Sequence, residues 1–307
     1  MKTETWKYTN INKWLAREYE TPDMGAPKII HVPKNTVLEK PIYITDIATR
    51  LTAPTLLSTR CVITLEENSS ATIVQVFQSE HADNYWRKKI TEINLAANAQ
   101  LNYYQVQTES ATSLHTHEIT VQQARDSQFN SFTFDNGGGI VRTDLHTKLQ
   151  AENARCQLYG VYLVKNKQHI DNHTIIDHLS SHTYSTEHYK GIIADQARAV
   201  FNGRVYVAPH AQKIVSKQHN ANLLLSKQAE IDTKPELEIY ADDVQCAHGA
   251  TVGQLDNDMI FYMTTRGISE IEARQLLTHG FIREMFEFIN DSEIKQLFNQ
   301  QLEGFVV

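Results

Sequence analysis

DQARAVFNGRVYV, from Asp195 to Val207, is the stretch on which the fold turns. A short polar corner ending in Ala197 leads into a run that alternates polar and apolar residues from Arg204 to Val207, the period of a half-buried strand. The same unit, a small polar stretch with an alanine and then a strand, recurs at Asn68 to Ala71, Ala97 to Ala99, Gln122 to Ala124, Glu152 to Ala154 and Lys227 to Ala229, at spacings of roughly 25 to 43 residues. Coils of a parallel β-helix produce such a quasi-period, because each turn stacks its strands on the last and needs small residues at its corners. An antiparallel sandwich gives a similar pattern, and Asn136-Gly137 and Asn202-Gly203 are hairpin signals, but two such sites are too few to join this many strands by tight turns.

Working outward, runs with period two extend from about Lys28 to Met263 and include Ala71 to Phe77, Leu101 to Gln107 and Glu236 to Tyr240. They are rich in Val, Ile, Thr, Tyr and Phe and leave no room for helical crossovers, so the body reads as all-β. Before it, Ile11, Trp14, Leu15 and Tyr19 fall at helical spacing and predict a short arm, broken by Pro22, Gly25 and Pro27. After Gly267 the period becomes helical. Ser269 and Glu272 make a capping box, Leu277, Phe281, Met285 and Phe288 form one apolar stripe, and Ile282, Phe286 and Ile289 lie beside it. Gly280 is a point where this helix is expected to divide, and a second helix is expected from Ser292 with Ile294, Leu297, Phe298 and Leu302 on one face. The organisation predicted is a helical arm (1–27), a β body (28–264) and a helical region (265–307).

With 307 residues and 41% hydrophobic side chains the chain can bury a sizeable core. Its net charge of -7 carries no basic block, which speaks against a nucleic-acid partner. No apolar run approaches a membrane span and Met1 to Asn10 is unlike a signal peptide, so a cytoplasmic location is expected. Three scattered cysteines, Cys61, Cys156 and Cys246, make no disulfide framework, and Cys61 and Cys156 read as core residues. There is no GxxxxGK[ST], GxSxG or HExxH, and the glycine-rich turn Asn136 to Gly139 lacks the helix and lysine of a phosphate loop, so ATP hydrolysis would have to come from a partner.

Four stretches carry a more specific signal: FNGRVYV (Phe201 to Val207), DTKPELEIYADDV (Asp232 to Val244), CAHGATVGQLD (Cys246 to Asp256), and Phe261, Tyr262 followed by Arg266 to Ile268. In content and order they resemble the SufB/SufD family of iron–sulfur cluster assembly proteins; YKGI (Tyr189 to Ile192) and the opening WKYTN (Trp6 to Asn10) fit as well. The resemblance implies a mainly β fold, a right-handed parallel β-helix with a short N-terminal helical arm and C-terminal helices. It also implies a non-enzymatic scaffold working with a SufB-type paralogue and a SufC-type ABC ATPase on a transient cluster. Ala229, upstream of Pro235, stands where SufB-type chains carry a cysteine, which favours the SufD-type branch. The histidine that faces the paralogue in SufD-type chains maps onto His248.

Cys246 and His248 lie two apart and so share a strand face. A thiolate and an exchangeable imidazole suit a cluster that must later leave. A buried apolar cysteine and a satisfied corner histidine are the structural alternative. The resemblance also implies that the stripe of Leu277, Phe281, Met285 and Phe288 meets the ATPase while its other side covers the end of the solenoid. The run His169, His173, His178, His182 and His188 reads as structural, bonded to carboxylates such as Asp171 and Asp177, and His115 and His117 as a solvated face. Two other functions stay open: a polysaccharide-acting β-helix enzyme using Asp242 and Asp243, and a self-associating scaffold that acts as a homodimer.

Overall fold

A computed structural model describes residues 7–49, 51 and 53–305; Trp6 of the WKYTN opening lies outside them. Its strands run in chain order β1 (Lys28–Val32), β2 (Ile42–Thr49), β3 (Leu56–Leu65), β4 (Ser70–Glu80), β5 (Trp86–Leu95), β6 (Gln100–Thr108), β7 (Leu114–Gln123), β8 (Gln128–Asp135), β9 (Ile140–Leu149), β10 (Arg155–Val164), β11 (His169–His178), β12 (Tyr184–Ile193), β13 (Arg198–Val207), β14 (Ile214–Leu224), β15 (Glu230–Ile239) and β16 (Val244–Gly253). Odd-numbered strands form one parallel eight-stranded sheet and even-numbered strands the other. The chain therefore alternates between sheets, two strands to a coil, and stacks about eight coils as a parallel β-solenoid. The Asn-Gly pairs make no hairpins: Asn202-Gly203 lies inside β13 and Asn136-Gly137 at a corner between β8 and β9.

Period-two patterning gives each strand one face for the interior. In β13 the inward set is Ala199, Phe201, Gly203, Val205 and Val207, and its four side-chain-bearing members join the main core with Cys61, Cys156 and Leu158. The coils turn through residues in the left-handed region. Asn35, Asn68, Asn98, Asp126, Asn153, His182 and Lys213 form one such corner column, and short polar side chains suit it because they tolerate positive φ. Asn98 Nδ2 donates to Asn68 Oδ1, and Asn68 Nδ2 to Asn35 Oδ1, each at 2.9 Å, so this corner is also laced by side chains. Asn166 and Asp195 serve the opposite corner. The alanine recurrence mixed the two corners: Ala99 and Ala154 belong to the first, Ala197 and Ala229 to the second. Its spacing was uneven for that reason.

Helices follow the last strand at once: α2 (Asn257–Thr265), which the periodicity did not register, α3 (Glu270–Arg283) and α4 (Ser292–Glu303), with α1 (Asn12–Leu15) at the other end of the chain. Ser269 Oγ accepts from the Glu272 amide at 3.2 Å, as the capping box predicts. Gly280 does not divide α3; the helix continues to Arg283 and then tightens into a 3-10 turn, Glu284–Phe288. The helical layer lies on the outer face of the even sheet rather than over an end of the solenoid. Met285, Phe286, Phe298 and Leu302 are buried there against Tyr104, Phe132, Phe134 and Val161. These strands carry aromatic residues at outward positions, and that apolar face requires cover. Lys190 ties the layer down: Nζ donates to the Phe281 carbonyl at 2.9 Å, lies 4.3 Å from the Phe281 ring and pairs with Glu284.

Within the described part of the expected N-terminal arm, residues 7–27, the helix is Asn12–Leu15, with Leu15 exposed. The segment is anchored by Thr9, which is buried, donates to the Asp171 carboxylate and lies 2.8 Å from His169 Nε2. Further on, Glu20 bridges Thr55, and Tyr19 meets Trp86 edge-on.

Candidate functional site: the open end of the solenoid

Strands β15 and β16 are the terminal members of their sheets. Among the described residues each has a neighbour on one side only, so two ten-residue edges present backbone N–H and C=O groups outward. Pro235 lies in β15, a position open to proline because an edge strand can spare a donor. Such an end is a template for another chain to continue both sheets.

His248 and Cys246 lie on β16, in register with Gln218 and Ser216 of β14, and share the face that looks between the sheets. Because no coil follows, His248 is exposed, while Cys246 is half-buried against the core edge. Burial pushes the Cys246 thiol up, partly countered by the Ser216 backbone, so it is not an activated thiolate in the isolated chain. Among the described residues no three His, Cys, Asp or Glu side chains converge on one point, so this end supplies at most two ligands by itself. Ala229 packs into the core at the corner before β15. Asp242 and Asp243, the acids of the polysaccharide alternative, are exposed at the corner between β15 and β16, where Asp243 pairs with Lys213.

The predicted helical stripe is only partly available. Met285 is fully buried, Leu277 and Phe281 are half-buried, and Phe288, 42% exposed, stacks on Tyr159 at 4.2 Å. The 3-10 turn Glu284–Phe288 has three residues per turn, so Met285 and Phe288 fall out of phase with Leu277 and Phe281 of α3. More open apolar side chains lie upstream: Phe261 and Ile271 are each 70% exposed, and Tyr262 and Leu276 are exposed beside them.

The histidine run is dispersed. His173 pairs with Asp171 at 2.8 Å on the outer face of the odd sheet, and Asp177 is taken by His146 at 2.6 Å. His178 points inward to Thr183 and Ser185, His182 turns a corner, and His188 packs on the outer face of the even sheet near His219 and Phe288. His115 and His117 are not a solvated face. Both are fully buried, because β7 turns this parity inward. His115 Nδ1 lies 2.5 Å from Glu109, which also takes Arg87 Nε at 2.6 Å and the Tyr85 hydroxyl at 2.7 Å. Burial works to raise the Glu109 carboxyl, but His115 and Arg87 outweigh it and hold it down to about 2. His117 donates from Nδ1 to Gln105 and accepts from Thr91, the neutral form that its burial enforces. The glycine-rich turn packs backbone to backbone: a Cβ on Gly137 would come within 2.5 Å of the Glu109 amide nitrogen.

Besides Glu109, two buried acids escaped the sequence reading. Burial pushes the Asp135 carboxyl up to about 6 and that of Glu187 up to about 7. Glu187 accepts from Gln218 Nε2 at 2.7 Å. The available signal was parity: Glu187 stands two before Tyr189 of the YKGI stretch, on the same inward face.

The geometry is that of a parallel β-solenoid with open strand edges and an exposed histidine at one end and apolar helices along one sheet face. The profile described as "SUF system FeS cluster assembly, SufBD core domain" matches residues 48–281. The chain belongs to the SufBD family of iron–sulfur cluster assembly proteins. It is 37% identical over 232 residues to the iron–sulfur cluster assembly protein SufD of Escherichia coli, covering 76% of this chain and 55% of that one. It is 30% identical over 277 residues to a SufBD family protein of Synechocystis, covering 88% and 61%, and 31% identical over 292 residues to protein ABCI7, chloroplastic, of Arabidopsis thaliana, covering 92% and 61%. The chain thus spans little more than half the length of these relatives. No helix among the described residues is long and apolar enough to cross a membrane.

Proposed function

We propose that this chain is a SufD-type scaffold subunit that helps build or transfer nascent iron–sulfur clusters at a seam with a SufB-type paralogue, without turnover of its own. The observation that carries it is the open end: β15 and β16 offer two strand edges, and His248, inside a stretch typical of the family, is exposed between them. The paralogue continues both sheets, and the cluster, as cargo, takes its ligands from both sides of the seam. His248 contributes an imidazole and Cys246 a thiol that iron would deprotonate on arrival. A SufC-type ABC ATPase docks on the helical region, residues 265–307 with α2 before it, where Phe261, Ile271 and Leu276 supplement Phe288. The cytoplasm is the matching compartment, and within the N-terminal arm (1–27) the stretch from Thr9 to Glu20 straps the solenoid.

The test is co-expression with both partners. His248→Ala is expected to leave the complex intact and lower its retained iron and sulfide, and Phe261→Asp with Ile271→Asp to release the ATPase. Recovery of the wild-type chain free of both partners would count against the proposal. A stable homodimer that accepts iron and sulfide would favour self-association, since the same two edges fit a second copy.

A further inference from the structure

One rung below His248, between the sheets, lies a pair of side chains that the proposal above leaves unused. Glu187 on β12 is in register with Gln218 on β14, and Gln218 with His248 on β16. Glu187 is 1% exposed and Gln218 3%. Gln218 Nε2 donates to Glu187 Oε2 at 2.7 Å, while Gln218 Oε1 is buried without a hydrogen-bond partner among the described residues, His248 included. A carboxylate oxygen that accepts from an amide fixes which end of that amide faces it. With its nitrogen turned to β12, Gln218 has its oxygen left for the β16 side, one strand spacing of about 4.8 Å from the next rung. Space for the pair is provided from the opposite sheet by Gly203 in β13. A Cβ there would overlap Nε2 of Gln218 and come within 2.9 Å of Oε2 of Glu187.

We propose that Glu187 and Gln218 are positioning residues for His248: Glu187 orients the Gln218 amide, whose oxygen takes the proton-bearing ring nitrogen of His248 and leaves the other nitrogen's lone pair facing the seam. A ligand imidazole needs its second nitrogen tied in this way to hold one tautomer and one ring orientation. The inference rests on reading His248 as the ligand at the open end. Titratable groups that interact with Glu187 are Cys156 on β10 and Tyr189 on β12, with Asp135 on β8 reached through Tyr189; from β11 it meets Thr174. None is a cation. Oε2 accepts from Gln218 whether or not Oε1 carries a proton, so the relay works in either protonation state.

The experiment is nitrogen-15 NMR of the full chain labelled at histidine, with the His248 signals identified by His248→Asn. In the unaltered chain one tautomer is expected to dominate. In Gln218→Leu, which lacks the acceptor, and in Glu187→Leu, which has no atom to accept from the amide and so leaves its direction unset, the tautomer ratio is expected to shift about fivefold, the weight of one ordinary hydrogen bond. Unchanged circular dichroism shows that the fold is kept, and a solely structural pair would leave the ratio alone. If Gln218→Leu fails to fold, Glu187→Leu decides by itself. An unchanged ratio overturns the inference. The underlying reading is checked separately by iron and sulfide retention in the His248→Ala complex, where undiminished loading overturns the role of His248 and leaves the tautomer measurement intact.

Discussion

Glu187→Gln removes a titration from the interior of the solenoid while keeping the shape of the side chain. The Glu187 carboxyl, 1% exposed and with no cation beside it among the described residues, is pushed by burial from an ordinary value of 4.5 up to about 7. Below pH 4.5 the folded and unfolded chains both hold this proton. Between 4.5 and about 7 the unfolded chain releases it and the folded chain does not, so stability falls as pH rises through that window and levels off above it. A shift of about 2.5 units at 1.36 kcal/mol each gives a loss of about 3 kcal/mol. Glutamine has no proton to release and can still accept from Gln218 Nε2. The variant is therefore expected to match the parent within about 1 kcal/mol at pH 5 and to exceed it by about 3 kcal/mol at pH 8. Urea denaturation at half-unit pH steps measures this, with Asp135 and every other group common to both proteins. Parallel profiles from pH 5 to 8, or a variant less stable at pH 8, would refute the claim that Glu187 is a desolvated acid without a compensating charge.

Phe201→Ala, which empties an inward position of β13, is expected to lower stability by about 3 to 5 kcal/mol in the same urea assay. Gly203→Ala forces apart the Glu187–Gln218 pair from the facing sheet and is expected to cost about 1 to 3 kcal/mol, although alanine suits a strand better than glycine; a stabilised variant would show that the pair is loosely packed. Thr9→Ala removes the buried hydroxyl that anchors the N-terminal segment to Asp171, so limited proteolysis should cut between residues 12 and 27 several times faster with the solenoid intact. Lys190→Met keeps the apolar stem but loses the bond to the Phe281 carbonyl and the pair with Glu284; hydrogen exchange in α3 and α4 should rise while that of β10 and β12 does not.

Much of the architecture was legible in the chain. The alternation of β13, the capping box at Ser269 and the apolar positions of α4 are local patterns, set by the two periods of strand and helix, and the structure contains each of them. Cys246 and His248 were also legible as a pair, since two residues apart on a strand means one face. Period two does not say which face is inside, however, and an error of one residue turns every side chain around. His115 and His117 read as solvated for that reason, and Glu187 was passed over.

Periodicity and motif content along the chain thus carry the repeating strand, the C-terminal helices and the family. Stacking of the coils places the helices over a sheet face instead of an end, seals Met285 under them, and brings Glu187 to Gln218 across 31 residues of chain. Local geometry follows from neighbours along the backbone. Partners between coils are chosen by register, corner length and the shape left inside, and these exist only once the coils have stacked.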